Sequence, residues 1–288
     1  MGVWAFLDAP PAAALPDLAA ELESLGYGAL WIPETVGRDP FVLSAMLLDA
    51  TSELVLATGI ANIHARDAVT MSSCEKTLAE AYPGRFVLGL GVSHAPMVEN
   101  IRGGTYRTPL ATMRAYLEAL DAAFYTAPPP DPPATRVLAA LGPRMLELAR
   151  DRAHGAPPYI TTPEHTARAR EVLGTGPFLA PEQTVVLSSD PDEARLVARG
   201  FASGYLGLPN YANNLRRLGF TDDDIEQVSD RIVDATVAWG DAAAIRGRVQ
   251  EHLDAGADHV SVQVLPREPG TMPTAEWREL APALGALT

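Results

Sequence analysis

The segment LESLGYGALWI, residues 22–32, decides the fold class of this 288-residue chain. Leucines lead into it at helical spacing, Gly26 stands where a helix often ends in a left-handed residue, and residues 29–32 form a continuous apolar run. Such a run is typical of a strand that is buried on both faces, as parallel strands are. The same order of helix, glycine and apolar strand recurs in LDAGADHVSVQV, residues 253–264. The repeat predicts parallel strands that alternate with helices.

Apolar runs of this kind occur eight times along the chain, separated by segments of helical periodicity. They occupy residues 3–7, 29–32, 54–59, 86–91, 136–140, 156–160, 183–187 and 259–264. Eight βα units in a chain of this length predict a (β/α)₈ barrel, the TIM barrel, rather than a two-domain dinucleotide-binding enzyme. We therefore predict a single α/β domain over residues 1–288.

One segment interrupts the alternation between the seventh and eighth strands. Residues 204–225 are rich in Tyr, Asn and Gly, so we predict an insertion of about residues 204–235. Insertions after a barrel strand commonly form part of the active-site rim. We expect the segment either to cover the site and select the substrate, or to cover only the barrel wall. The side chains expected at the site are Tyr205, Tyr211, Asn213 and Asn214.

The composition argues against several classes of function. The net charge of −14 is spread along the chain, which disfavours binding to nucleic acid or to an anionic membrane surface. Cys74 is the only cysteine, so neither an internal disulfide nor a cysteine zinc site is expected. No apolar run approaches the ~18 residues of a membrane-spanning helix. We expect a cytoplasmic protein that acts on a small molecule.

Candidate catalytic residues follow three of the predicted strands. Glu34, His64 and His94 each come just after a strand, and in a barrel such positions meet at one mouth. Glu34 either faces this mouth or pairs with Arg38. The six histidines show neither H-x-x-x-H nor H-E-x-x-H spacing, so no metal site is expected.

Two known motifs begin around the fourth strand without being completed. Gly89 and Gly91 start the dinucleotide fingerprint, yet His94 occupies the place of its third glycine. Ser93 follows the strand as the nucleophile of a serine hydrolase does, but Pro96 stands where that motif requires a helix. A serine hydrolase that uses Ser93 is therefore retained only as an alternative.

A resemblance to a known family rests on several stretches of the chain. Residues 57–60, ATGI, and residues 84–94, GRFVLGLGVSH, resemble the luciferase-like oxidoreductases and monooxygenases, above all the branch that uses the deazaflavin coenzyme F-420. Residues 106–110, 113–117 and 139–143 resemble the same branch. The family fold is a (β/α)₈ barrel, and several members are homodimers. The resemblance therefore implies an F-420- or flavin-dependent oxidoreductase that forms a homodimer.

The resemblance also implies where the cofactor binds. Gly59–Ile60 would be a cis peptide behind the cofactor ring, and Asn62 and His64 would border the cofactor. Val92 and Ser93 would meet the ring edge. The ribityl-phosphate region would lie where a helix begins, because free N–H groups there can hold phosphate. The residues at this helix start are Ala140, Leu141, Gly142 and Pro143.

The catalytic pair of the family transfers less well than its cofactor site. Many F-420 enzymes carry a histidine after the second strand, where this chain has Glu34, and a glutamate after the fourth, where it has Ser93 and His94. We expect His94 to donate the proton that meets charge developing on the substrate, since histidine titrates near neutral pH. Glu34 would orient one of the two histidines, His94 or His64, or hold the cofactor. Arg66, Arg102, Arg107 and Arg144 either provide a basic lining for the coenzyme tail or are simply solvated.

Four functions are compatible with the sequence. The leading hypothesis is hydride transfer between coenzyme F-420 and a small organic substrate. The second is an FMN-dependent monooxygenase on the same barrel. The others are a non-catalytic barrel that binds a ligand, and the serine hydrolase that uses Ser93.

Overall fold

Parallel strands and helices alternate along the chain in the computed structural model, which describes residues 1–266, 268 and 270–287. The strands are β1 (Gly2–Trp4), β2 (Ala29–Ile32), β3 (Val55–Thr58), β4 (Ala61–Asn62), β5 (Phe86–Gly91), β6 (Thr135–Leu138), β7 (Gly155–Ala156), β8 (Phe178–Leu179), β9 (Glu182–Val186), β10 (Val237–Trp239) and β11 (Ser261–Val264). The helices are α1 (Leu15–Ser24), α2 (Pro40–Asp49), α3 (Ala68–Ala81), α4 (Pro109–Asp121), α5 (Pro143–Arg152), α6 (Pro163–Leu173), α7 (Pro191–Leu206), α8 (Pro209–Arg217), α9 (Asp222–Glu226), α10 (Asp230–Thr236), α11 (Ala242–Asp254) and α12 (Thr274–Gly285). No helix in this described part of the chain is long and apolar enough to cross a membrane.

Backbone hydrogen bonds join the strands into a barrel. β1 lies between β11 and β2, and the order continues through β3 and β5 to β6, with every pair parallel. The N–H of His154, just before β7, donates to the carbonyl of Arg136 in β6 at 2.7 Å, and β7 pairs with β8. β8 leads through Ala180 and Pro181 into β9, which pairs with β11 and so returns to β1. The predicted α/β barrel is confirmed.

Several predicted strands are longer than those in the structure; the first, expected at residues 3–7, ends at Trp4. The strand expected at residues 156–160 ends at Ala156, because Pro157 and Pro158 have no N–H with which to continue the ladder. The segment predicted as an insertion, about residues 204–235, follows the end of α7 at Leu206. It consists of α8, α9 and α10, followed by β10, which pairs in parallel with β9 and lies outside the eight barrel positions.

The interior of the barrel is aromatic on one side and polar on the other. Residues that pair across neighbouring strands face the same side of a sheet, so the register places Trp4, Trp31 and Ala57 together inside the barrel. Gly2 lies two residues before Trp4 and therefore faces the same, inner side of β1. Ser261 of β11 pairs with Gly2, and Glu182 of β9 pairs with Ser261, so these residues also face the inside of the barrel. The buried polar residues that these two strands point inward are Glu182, Thr184, Ser261 and Gln263.

Two apolar cores lie outside the barrel strands. The larger one, between strands and helices, includes the fully buried Leu30, Leu56 and Leu88. A second and separate cluster holds the insertion, in which residues of α8, α9 and α10 pack with α7. Its members include Ala194, Ala198, Leu215, Ile225 and Ile232. The insertion is therefore fixed to the barrel through a small core of its own.

A buried ion pair fixes β6 to the helices outside it. Arg136 in β6 donates two hydrogen bonds to the carboxylate of Glu75 in α3, at 3.3 and 3.1 Å. A third bond, of 2.9 Å, goes to Asp121 at the end of α4. Only 4% of the Glu75 side chain is exposed. Because both charges are removed from water, each depends on the other for compensation.

Replacing Glu75 by alanine should leave Arg136 without its main partner in this site. Loss of one partner of a buried pair costs about 3–5 kcal/mol of unfolding free energy, and we expect the lower end because Asp121 still contacts Arg136. Urea unfolding followed by circular dichroism measures the change. The double variant Glu75→Ala/Arg136→Met should recover part of the loss. A single variant as stable as the native protein would contradict the assignment.

Candidate active site at the mouth of the barrel

A cavity of about 410 Å³ opens at the carboxyl ends of the barrel strands. It is lined by residues that follow β1, β2, β3, β5, β6 and β7, and by side chains of α7 and α8. Most of the site residues predicted from the sequence line it, namely Glu34, Gly59, Ile60, Val92, Ser93, His94, Ala140, Leu141 and Gly142. Asn62, His64 and Pro143 lie outside its lining.

The floor of the cavity is formed by Gly59–Ile60, which is a cis peptide as predicted. Gly59 rests on the ring of Trp4, so that a Cβ atom added at residue 59 would lie 2.7 Å from the nearest ring carbon. The Trp4 ring stacks on Trp31, with centroids 5.9 Å apart, and on Tyr159, with centroids 5.0 Å apart. The floor is therefore apolar and leaves no room for a side chain at residue 59.

Glu34 braces the loop behind this floor. Its carboxylate accepts two hydrogen bonds from Arg66, at 2.9 and 2.7 Å, and one from the backbone N–H of Asn62 at 2.7 Å. The N–H of Glu34 donates to the carbonyl of Ile60 at 3.2 Å. Arg38, the partner considered from the sequence, donates to backbone carbonyls elsewhere. The Glu34 side chain is 6% exposed and is engaged with the loop after β3.

His94 lines the cavity at the end of β5 and is half-buried. Burial lowers the pKa of His94, and a hydrogen bond with the side chain of Asn210 offsets part of that lowering. The His94 ring lies 5.5 Å from the ring of Tyr211, measured between centroids. At neutral pH the imidazole is therefore uncharged, and one of its ring nitrogens can accept a proton.

His64 stands one layer back from the cavity. Its backbone N–H donates to the side-chain oxygen of the buried Asn62 at 2.9 Å. Its ring lies 6.3 Å from the ring of Tyr106, which does line the cavity. Burial lowers the pKa of His64, and the nearby Arg102 lowers it further. The ring of Tyr106 therefore connects His64 with the cavity, which His64 itself does not line.

Ser93 has a left-handed backbone, with a φ of 59°, which is uncommon for a residue other than glycine. It lines the cavity, but the adjacent His94 hydrogen-bonds Asn210. Among the described residues no histidine or carboxylate bonds the Ser93 hydroxyl, so it lacks the general base that a nucleophilic serine needs. The same part of the chain contains no group of three His, Cys, Asp or Glu side chains that could hold a metal ion.

One end of the cavity carries positive charge. α5 begins directly after Gly142, and no side chain caps its first N–H groups. The guanidinium of Arg217, in α8, comes within 3.7 Å of the place where a Cβ atom on residue 142 would stand. In the described residues Arg217 forms no ion pair, and its carbonyl accepts a bond from Arg168. A cation and a helix N-terminus that face the same space favour a bound anion.

None of the four arginines predicted to line the site of the coenzyme tail belongs to the cavity lining. Arg66 and Arg102 lie 2.7 and 3.6 Å from the carboxylate of Glu34. Arg107 and Arg144 are exposed and lie outside the cavity lining. Arg217 takes the expected position instead. Sequence reasoning missed it because it belongs to the insertion, whose approach to α5 no local pattern reveals.

Much of the remaining wall comes from residues that no motif marks. They include Phe6, Met97 and Tyr159. Phe6 and Tyr159 follow β1 and β7, and that position alone could have singled them out. Tyr205, Tyr211 and Asn213 line the cavity as expected, whereas Asn214 is buried outside its lining. The segment 204–225 thus contributes to the cavity wall.

The chain is similar to known proteins in sequence and in fold. Residues 2–259 match the protein family described as Luciferase-like monooxygenase. The chain is 24% identical, over 310 aligned positions, to Rv3520c of Mycobacterium tuberculosis, whose name provisionally assigns it to the coenzyme F-420-dependent oxidoreductases. That alignment covers 85% of this chain and 88% of the relative.

Two solved structures have a similar fold at low sequence identity. One is an F-420-dependent secondary alcohol dehydrogenase in complex with an F-420–acetone adduct, with a TM-score of 0.76, 15% identity and 98% of both chains covered. The other is the oxygenating constituent of 3,6-diketocamphane monooxygenase from Pseudomonas putida in complex with FMN. Its TM-score is 0.71 at 15% identity, with 98% of this chain and 95% of that chain covered.

Gly59→Ala should disturb the floor of the cavity. The new methyl group would stand 2.7 to 2.9 Å from three carbons of the Trp4 ring, which is itself held by stacking. Overpacking of this kind costs about 1–3 kcal/mol, so the thermal unfolding midpoint should fall and tryptophan fluorescence should change. Gly28→Ala is the control, since its nearest atom would be 3.6 Å away. Equal stability of the two variants would show that Trp4 does not support residue 59.

Proposed function

The chain belongs to the luciferase-like monooxygenase family, and we propose that it is an oxidoreductase that transfers hydride between coenzyme F-420 and a small organic substrate. The observation that carries this proposal is the polarity of the cavity. Its floor at Gly59–Ile60 and Trp4 is apolar, and its end at Gly142 and Arg217 is cationic. A cofactor with a flat apolar ring and a phosphate-bearing tail matches both. The name of Rv3520c and the ligand of the alcohol dehydrogenase support the choice of coenzyme.

Different parts of the chain would hold the ring and the tail. Gly59–Ile60 would back the ring, because the missing side chain at residue 59 exposes the backbone there. Val92 and Ser93 would meet its edge. The first N–H groups of α5 and the Arg217 guanidinium would bind phosphate, as charge and geometry favour. When bound, coenzyme F-420 supplies the hydride-transfer chemistry, and the protein supplies orientation and electrostatics.

His94 would move the proton that accompanies hydride transfer. Its uncharged imidazole can accept the hydroxyl proton of an alcohol that is oxidised. In the opposite direction, the protonated ring can return that proton to a carbonyl oxygen. Asn210 would hold the ring in place through its hydrogen bond, and Glu34 would act indirectly, by bracing the loop that carries the floor.

FMN is the second candidate cofactor. It also joins an apolar ring to a phosphate, and Arg217, the one arginine or lysine of the described cavity lining, suits a single phosphate group. The fold similarity to the FMN-bound enzyme of Pseudomonas putida supports this candidate as well. In that case the protein is a monooxygenase, in line with the description of its family.

Two other hypotheses predict different results when cofactor binding, turnover and serine labelling are measured. A non-catalytic barrel would bind a ligand without turnover, and a serine hydrolase would be labelled at Ser93 by a fluorophosphonate. The homodimer and the cytoplasmic location implied by the sequence stay predictions. Light scattering of the purified protein tests the first of them.

Titration with coenzyme F-420 and, separately, with FMN tests the cofactor assignment. We expect the protein to quench F-420 fluorescence with the lower Kd. Arg217→Ala should weaken binding about 10–100-fold, since a hydrogen bond between charged groups contributes about 1.5–3 kcal/mol. Arg107→Ala is the matched control, because Arg107 is exposed outside the cavity. Binding of neither cofactor would remove the proposal, and binding unaffected by Arg217→Ala would remove the anion site.

His94→Gln should lower kcat about 10²–10⁴-fold in assays with F-420 and a panel of secondary alcohols and ketones. Because burial lowers the pKa of His94, alcohol oxidation by the native protein should rise with pH through a midpoint below ~6.5. The variant should lose this limb of the pH profile. His154→Gln, exposed at the other end of the barrel, is the control. Near-native turnover of His94→Gln would exclude His94 from proton transfer.

A further inference from the structure

Glu182 is a buried acid that the proposed chemistry does not use. It opens β9, it is 0% exposed, and its register with Ser261 directs it into the barrel. In the described part of the chain Glu182 forms no ion pair. Burial raises the pKa of its carboxyl group, and hydrogen bonds with Thr184 and Ile160 offset part of that rise. A carboxyl group in such a site, without a cation, favours its neutral form.

Both oxygens of this carboxyl have a partner. Oε1 lies 2.5 Å from the hydroxyl oxygen of Thr184, and either group can supply the proton between them. Oε2 accepts a hydrogen bond from the backbone N–H of Ile160 at 3.2 Å. Burial raises the pKa of Glu182 to about 8, so the neutral acid prevails at pH 7. A neutral carboxyl satisfies both contacts without leaving a charge in the barrel.

The backbone that Glu182 holds is unusual. Ile160 has a φ of 52°, in the left-handed region that β-branched residues rarely adopt. Such a conformation persists only where the surrounding contacts fix it. The N–H that Glu182 binds is that of Ile160 itself, so the carboxyl acts directly on the strained residue.

The residue before Ile160 belongs to the cavity. The Tyr159 ring stacks on Trp4 at 5.0 Å, and the Tyr159 hydroxyl donates to Gln263 at 2.8 Å. Trp4 in turn supports Gly59 at the floor. A change in the backbone at Ile160 is therefore transmitted to the ring stack under the floor.

We propose that Glu182 is a positioning residue for the cofactor site, which fixes the ring of Tyr159 against Trp4 through the backbone N–H of Ile160. The proposal rests on the proposed function in one respect, namely that the floor at Gly59 receives a cofactor. It assigns Glu182 no contact with the reacting atoms.

Ionisation of Glu182 should loosen this arrangement, because nothing nearby compensates a negative charge. The titratable groups that face it are Tyr159, Tyr205 in α7 and Tyr211 in α8, all with pKa values raised by burial. On β11 it faces Ser261 and Gln263, which do not titrate. Unfolded glutamate titrates near pH 4.5, so the folded chain retains the proton longer and loses stability as the pH rises from there toward about 8.

The first test compares Glu182→Gln with Glu182→Ala in the complete chain. Glutamine keeps an oxygen for the Ile160 N–H and cannot ionise, whereas alanine removes the acceptor. The Kd for F-420 or FMN is measured for the native protein and for Glu182→Gln at pH 7 and at pH 9. The ratio of the native Kd to the Glu182→Gln Kd should be about tenfold higher at pH 9 than at pH 7. Glu182→Ala should bind about tenfold more weakly than the native protein at pH 7.

Glu23→Gln is the matched control for this series. The Glu23 carboxylate also accepts backbone N–H groups, those of Ser52, Glu53 and Leu54, but it lies on α1 outside the barrel. The same substitution there should leave cofactor binding and its pH dependence as in the native protein. An equal effect of Glu23→Gln and Glu182→Gln would overturn the proposal.

The second test needs no cofactor. In protein labelled with [¹⁵N]isoleucine, the amide signal of Ile160, assigned with Ile160→Val, should shift with a midpoint near pH 8 in the native protein and not in Glu182→Gln. An amide that does not titrate, or a Kd ratio that stays constant with pH, would overturn the proposal. Titration of the amide without binding of either cofactor would refute the proposed function alone. If Glu182→Ala does not fold, Glu182→Gln and the amide signal still decide.

Discussion

The cavity depends on the stacking of Trp4 between Trp31 and Tyr159 inside the barrel. Interiors of such barrels are dominated by branched aliphatic side chains, whereas here aromatic rings from β1, β2 and the loop after β7 occupy much of the space. The rings leave no volume for a side chain above Trp4, and so residue 59 is glycine. Register fixes one side of the stack through β1 and β2. The other side depends on the backbone around Tyr159, which has no regular strand pairing of its own.

Charge is arranged so that the cavity presents a cation, whereas the carboxylate in its lining is paired. The chain as a whole carries −14, yet Glu34 at the cavity wall is bound by Arg66, which also contacts Asp39 at 3.0 Å. Arg217 lines the cavity and lies beside the start of α5, which no side chain caps. Long-range attraction of an anionic ligand is not available to an acidic protein, so its binding relies on these local groups.

Most of the fold and part of the site could be predicted from the sequence, because their signals are local. The bounds of β2 and β5 agree with the predicted ones, and Gly26 has the positive φ expected after α1. The glycines and His94 at the cavity were found because the position after a strand is itself a local signal.

What the sequence did not reveal depends on distant contacts. Arg217 reaches α5 only because the insertion packs there. Glu34 forms its ion pair with Arg66, which is 32 residues away in the sequence, and not with the nearby Arg38. Glu182 lies one residue before the strand predicted at residues 183–187, and its inward direction follows only from the register with β11.

The separate core of the insertion has an evolutionary consequence. Leu215, Ile225 and Ile232 anchor the insertion to α7, and only a few of its side chains reach the cavity. Sequence drift on the cavity side of α8 can therefore proceed without compensating changes in the barrel core. The insertion could therefore be exchanged or remodelled to change the cavity wall, while the packing of the barrel stays as it is. Asn210, Tyr211 and Arg217 are the exceptions, since changes there would also alter the contacts of His94 or the cationic end of the cavity.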